Sequence, residues 1–366
     1  MRLIVAARRF SAAALAFLLS SVSWAPPALA DQHREGQWYL DDLRVSDVHR
    51  ITKGGGVTVA VIDSGVWAGH PDLRGAVLPG FNVLGNGDAR QDVRGHGTQM
   101  AGIIAARGRS GGRGVLGLAP EAKILPASPA LSALVVSEAI DWSVEHGARV
   151  INMSFLVLDD ETLAAAVKRA ARADVVLVAG SGNDGERNGA GYEHPAAYPE
   201  VLAVGATDRA GKVMPFSHQG PYLDIVAPGA DVVVANGDQD KQYERVEGTS
   251  VSTAIVSGAA ALIRSKYPEL TAAQVVRALE SAAVDKGPAG RDDAYGYGEL
   301  DLVAALDVAA SLTPGPEAST GAPPTSGSRG DDAGLPAVAI AGIGVLLLGG
   351  AVVLLAFVRR RRRIRV

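Results

Sequence analysis

From residue 57 onward, apolar runs of strand length alternate with segments of helical spacing. This alternation restricts the possible folds more than any other feature of the chain. "VTVAVI" (57–62) is strand-like and ends at Asp63. "LSALVVSEAIDWSVEHG" (131–147) has helical spacing and stops at Gly147, and "RVINMSF" (149–155) returns to strand. "DETLAAAVKRAARA" (160–173) is helical and "DVVLVAG" (174–180) is again a strand; "EVLAVGA" and "LDIVAPG" add more. "TAAQVVRALESAA" opens with Thr271 and carries Gln274 three residues on, the pattern of a capping box. Strands apolar along their whole length are buried on both faces. The pattern therefore predicts an α/β fold, a three-layer sandwich of a mostly parallel sheet with helices on both faces. In such sheets chemistry gathers at the C-terminal ends of the strands, and Asp63 and Asn183 lie just past two of them.

Composition narrows the function. The 366 residues are 48% hydrophobic, ample for one large core. A formal net charge of -4, with no basic cluster in the body, argues against nucleic-acid partners. The absence of cysteine removes disulfides, thiolate metal sites and cysteine nucleophiles.

The two ends indicate a location. Residues 1–30 begin with Arg2, Arg8 and Arg9, continue with an apolar run and close on Ala28-Leu29-Ala30, as a signal peptide does. The mature chain is then expected to begin near Asp31, with residues 31–50 as an N-terminal extension and 51–312 as the main domain. Residues 313–336 are rich in Pro, Gly, Ser and Thr and read as a flexible stalk. Ala337 to Val358 carries no charge. At about 1.5 Å per residue it reaches roughly 33 Å as a helix, enough for a hydrocarbon core of about 30 Å. "RRRRRIRV" (359–366) follows, and such a basic tail stays on the cytoplasmic side. The expected topology is a single-pass cell-membrane protein with its main domain outside and its C-terminus in the cytoplasm. A cell-wall sorting signal also ends in an apolar run and a basic tail, but "LPAVA" at Leu335 lacks the threonine and glycine such a signal needs.

Three local motifs carry chemistry. "AVIDSGV" places Asp63 at the end of a buried strand, where a carboxylate is costly unless hydrogen-bonded. "RGHGTQMAG" places His96 between Gly95 and Gly97, ahead of a small-residue helix. "VEGTSVSTAIVSG" places Ser250 at the start of a long helical pattern, where backbone N–H groups favour negative charge. Taken singly, each has a plainer explanation: a loop cap, a surface histidine, an N-cap serine. Together they supply a carboxylate, a base and a nucleophile in the order Asp, His, Ser.

That order and these contexts resemble the subtilisin-like serine proteases, peptidase family S8. The resemblance extends over nearly all of residues 37–310, through "LGLAPEAKILP", "VINMS", "AGSGNDG", "HPAAYPEVLAVGA", "FSHQGPYLDIVAPG" and "GYGELD". It implies a subtilisin-like fold and a serine endopeptidase acting on protein or peptide substrates. Ser250 would be the nucleophile, His96 the general base and acid, and Asp63 the group that orients His96. Asn183 would be the side-chain oxyanion donor, and Ser252 and Ser257 helix-packing residues. No cofactor is implied for the chemistry. The resemblance also makes structural calcium possible, with no site assigned.

Two departures stand out. Phe155-Leu156-Val157 follow Ser154 where the family usually has paired glycines, so the substrate cleft is expected to be narrowed or reshaped. Ala254 replaces the proline that usually follows the nucleophile.

With about thirty residues between the expected cleavage site and the first strand, no folded propeptide like that of secreted subtilisins is expected. "QWYLDDLRV" (37–45) is more similar to the segment that precedes the domain in mycosins, the membrane-anchored proteases of type VII secretion. Mycosins share the signal peptide, Pro-rich stalk, single span and basic tail. The resemblance thus implies type VII secretion machinery as a partner. A second reading makes the protein a membrane-tethered scaffold of that machinery, with proteolysis secondary. A catalytic metal is disfavoured. Asp88, Asp92 and His96 are four apart, but Gly95 and Gly97 break the helix that would align them.

Overall fold

The computed structural model describes residues 32–83, 88–129, 131–185, 193–238 and 240–313. The chain divides into Met1–Gly315 and Pro316–Val366, and the second unit lies wholly outside the described residues. So does the expected signal peptide, together with the span, the basic tail and all of the stalk beyond Thr313. Among the described residues no helix is long and apolar enough to cross a membrane.

Seven parallel strands form the central sheet. They are β1 (Thr58–Ile62), β2 (Phe81–Asn82), β5 (Lys123–Ser128), β6 (Val150–Met153), β7 (Val176–Gly180), β8 (Leu202–Thr207) and β9 (Ile225–Pro228). Their order is β2-β5-β1-β6-β7-β8-β9. β1 pairs with β5 on one side and β6 on the other, so the strand order reverses around it. Two antiparallel pairs complete the strands: β3 (Arg107–Arg109) with β4 (Arg113–Leu116), and β10 (Val232–Ala235) with β11 (Tyr243–Val246).

Alternate residues of each strand feed opposite cores, as a side-chain period of two requires. Val59, Val61, Val150, Val176, Val178 and Val204 join one core with the helices His96–Ala105 and Thr249–Lys266. Ala60, Ile62, Ile151, Leu177 and Ala203 join the other with the helices Ala133–Glu145 and Glu161–Arg172. The chain therefore has the expected parallel sheet with helices on both faces.

Local signals account for several helix ends. The Asp160 carboxylate accepts from the N–H groups of Thr162 and Leu163 at the start of the Glu161–Arg172 helix. The Thr271–Gln274 capping box forms in both directions at the start of Ala272–Ser281. The expected N-terminal extension, residues 31–50, contributes buried side chains to the first core. Trp38, Tyr39, Leu40, Leu43, Val45 and Val48 are buried in the first cluster, and the Trp38 indole donates to the Ala230 carbonyl at 3.0 Å.

Candidate active site

β1 delivers Asp63 to the rim of the sheet, where the Asp63 N–H still donates to the Ala127 carbonyl of β5 at 2.8 Å. Its side chain is 6% exposed. Oδ1 accepts from the Ser64 N–H at 2.7 Å and the Ser64 hydroxyl at 3.1 Å. His96 Nδ1 lies 2.8 Å from Oδ2 and 3.0 Å from Oδ1. A buried carboxylate is held here by several donors, as its desolvation demands.

His96 is the first residue of its helix, and the flanking glycines are there for steric reasons. Gly95 has φ 83°, a left-handed conformation that side chains disfavour. A Cβ on Gly97 would come within 2.0 Å of the Gly65 carbonyl oxygen. The imidazole side chain is 37% exposed, so the edge opposite Asp63 faces outward. With Nδ1–H bonded to a carboxylate, the neutral ring presents Nε2 as an acceptor. Burial pulls the imidazole pKa down most strongly. The hydrogen bond to Asp63 and the charges of Asp63 and Asp92 outweigh it, so the net shift is upward from 6.5.

Asp92 organises the loop around this pair. Its Oδ1 accepts from the Ser64 hydroxyl at 2.8 Å, the Arg94 N–H at 3.0 Å and the Gly95 N–H at 2.8 Å. Its Oδ2 accepts from the N–H and hydroxyl of Thr98 at 2.8 and 2.6 Å. Asp88 instead pairs with Arg90. The two carboxylates weighed as metal ligands beside His96 are thus turned to other partners. Among the described residues no group of three or more His, Cys, Asp or Glu side chains could hold a metal ion.

The Thr249–Lys266 helix follows Gly248, whose φ is 149°. Ser250 lies in its first turn, where backbone N–H groups have no intrahelical acceptor. Its hydroxyl is half-buried and makes one long hydrogen bond, to the Ser154 carbonyl at 3.5 Å, and none to His96. The two other serines of the motif are fully buried and occupied. Ser252 donates to the carbonyls of Ala227 and Pro228, and Ser257 donates to Asn152 Oδ1 at 3.0 Å. Ser257 begins a buried chain toward Ser250. Asn152 Nδ2 donates to the Ser154 hydroxyl at 3.0 Å, which donates to the Ser250 carbonyl at 3.3 Å.

Asn183 follows β7 by three residues. Its Oδ1 accepts from the Thr249 N–H at 2.9 Å and the Thr249 hydroxyl at 3.0 Å. This fixes the amide against the start of the serine helix and leaves Nδ2 as a donor. A Cβ on Gly248 would lie 3.6 Å from that nitrogen.

Asp63, Ser64, Arg94, His96, Ser154 and Phe155 line one open cavity of about 660 Å3. Phe155 forms part of its wall and packs on the second core. Leu156 is 37% exposed and lies beside Gly182, and Leu158 is 88% exposed. Of the bulky residues after Ser154, Phe155 lines this cavity, while Val157 packs on the second core. Ala254 is fully buried, and the helix runs unbroken through it. Asp92, Ser64 and Asn152 hold the site in place without belonging to any of the three motif assignments. A polar residue inside the otherwise apolar "VINM" was the one available signal for Asn152.

A parallel sheet of this order, with an Asp–His pair, a serine-bearing helix and an amide at one rim, defines a subtilisin-like α/β fold. Residues 54–298 match the subtilase family, Peptidase S8. Subtilisin DY of Bacillus licheniformis is 38% identical over 256 residues, covering 68% of this chain and 89% of that protein. A thermostable alkaline protease of Halalkalibacterium halodurans is 36% identical over 257 residues, 68% of each chain. Among solved structures, MycP1 from Mycobacterium smegmatis superposes with a TM-score of 0.65 at 29% identity, covering 74% of this chain and 84% of that one. The MycP3 protease from the type VII (ESX-3) secretion system gives 0.67 at 30%, covering 78% and 90%. The chain belongs to the subtilase family and is a subtilisin-like serine endopeptidase, similar in structure to the mycosins.

Proposed function

We propose that the protein is a membrane-anchored extracytoplasmic endopeptidase working through Asp63, His96 and Ser250. The observation that supports this is the Asp63–His96 pair, in which Nδ1 faces the carboxylate and Nε2 is left as the acceptor of the neutral ring. On substrate binding the Ser250 hydroxyl exchanges its long bond to Ser154 for His96 Nε2; such contacts commonly tighten only in the substrate complex. The hydroxyl oxygen then attacks the scissile carbonyl carbon while Nε2 takes its proton. Negative charge collects on the carbonyl oxygen, where Asn183 Nδ2 and the Ser250 N–H donate to it. His96 returns the proton to the leaving amine as the C–N bond breaks, leaving an acyl-enzyme. Water activated by the same imidazole hydrolyses that ester.

Hydrolysis of an unfolded protein by the full-length enzyme tests this. Ser250→Ala and His96→Ala should each abolish turnover above background. Asn183→Ala should cost about 100- to 1000-fold in kcat, a range measured on a subtilisin, with little change in KM. Turnover that survives Ser250→Ala would overturn the assignment.

The apolar run Ala337–Val358 and its basic tail support the anchor, and the mycosin likeness supports a role in type VII secretion. One MycP1 is described as an essential component of the type VII (ESX-1) secretion system, which keeps the scaffold reading in play. Normal secretion in a Ser250→Ala strain, set against loss on deletion, would make scaffolding the main role.

A further inference from the structure

Arg94 lies two residues before His96 and lines the same cavity as Asp63, His96, Ser154 and Phe155. Its backbone is anchored, because its N–H donates to Asp92 Oδ1 at 3.0 Å. Its side chain is exposed and makes no hydrogen bond or ion pair to another described residue. The neighbouring carboxylates are already engaged. Both oxygens of Asp63 serve His96, with Oδ1 also serving Ser64, and the Asp92 carboxylate accepts five hydrogen bonds. The remaining described lining residues are neutral, either polar, such as Ser64 and Ser154, or apolar, such as Leu131 and Phe155. Among the described residues, the cavity thus offers a bound peptide one uncommitted formal charge, and it is positive. A guanidinium with no internal partner suits a carboxylate supplied by a ligand, through two parallel N–H bonds.

We propose that Arg94 is a specificity-determining residue that selects peptide substrates with an acidic side chain next to the scissile bond. This rests on the endopeptidase reading above and names the substrate class of that same site. Arg94 takes no part in bond making; it holds the substrate carboxylate and thereby places the neighbouring carbonyl.

The test uses full-length enzyme in detergent and matched fluorogenic peptides that carry Glu, Gln or Lys at each residue flanking the cleaved bond. At one position Glu should exceed Gln in kcat/KM by about fivefold, the size of a partly exposed charge pair, and Lys should rank below both. The preference should shrink in high salt. Arg94→Gln should erase it, and Arg94→Glu should invert it toward Lys. Equal kcat/KM for the three peptides at every position would overturn the inference, as would a preference for Glu that persists unchanged in Arg94→Gln. Labelling of Ser250 by a fluorophosphonate separates the two levels. Labelled enzyme without a charge preference refutes the role of Arg94 alone; failure of both labelling and hydrolysis refutes the endopeptidase reading as well, and this inference falls with it.

Discussion

His96 must be neutral to take a proton, and its surroundings hold the proton on. Burial lowers its pKa, but the Asp63 hydrogen bond and the charges of Asp63 and Asp92 raise it further, for a net upward shift from 6.5. The acid limb of kcat/KM should therefore lie above pH 6.5, with activity rising as pH climbs through the shifted value. The stabilisation from this pair runs the other way: it is fully present below 6.5 and is lost as pH rises through the folded-state pKa. Asp92→Asn removes a negative charge that favours the imidazolium, so the acid limb should move to lower pH. The amide also presents hydrogens toward Thr98 in place of a lone pair, so kcat should fall as well. A pH–rate profile of this variant reads both effects, and an unmoved limb would refute the electrostatic role of Asp92.

At the scale of elements, the site depends on how β6 meets the serine helix. Ser257, Asn152 and Ser154 form a buried hydrogen-bond chain that ends on the Ser250 carbonyl. Asn152→Ala leaves the Ser257 hydroxyl without its acceptor and Ser154 without a donor. It should lower stability by about 1–3 kcal/mol and reduce kcat more than it raises KM. Thermal melts and steady-state kinetics together check this; a melt change with intact kcat would mean the chain is structural alone. Such couplings were not legible in the sequence, because Asn152 and Ser257 are 105 residues apart and meet only through packing of the serine helix on the sheet. What was legible was local. The runs at 57–62, 149–155, 174–180 and 223–229 contain β1, β6, β7 and β9, and the run at 200–206 covers all of β8 but Thr207. β5 carries a weaker strand signal because Pro126 interrupts it, and a proline argues against a central strand. The three local motifs point to Asp63, His96 and Ser250, but the Ser250 hydroxyl's contact with the Ser154 carbonyl arises only from folding, 96 residues apart in the chain.

At the scale of the whole molecule, packing leaves a carboxyl under strain of charge. Burial, with a further contribution from Asp224, raises Glu280 from 4.5 to about 7. The folded state then binds more protons than the unfolded one between those values, so this group's effect on stability becomes more unfavourable as pH rises from about 4.5 to 7. Glu280→Gln should therefore raise the melting temperature at pH 8 and leave it unchanged at pH 4; an equal effect at both would show that the charge is not responsible. The account as a whole depends on one atom, the Ser250 hydroxyl oxygen, being the nucleophile. Full-length enzyme treated with a fluorophosphonate, denatured and digested, should give a single adduct mapped by mass spectrometry to Ser250, absent in His96→Ala. An adduct on Ser154, or an unmodified Ser250 in enzyme that still hydrolyses peptides, would contradict it.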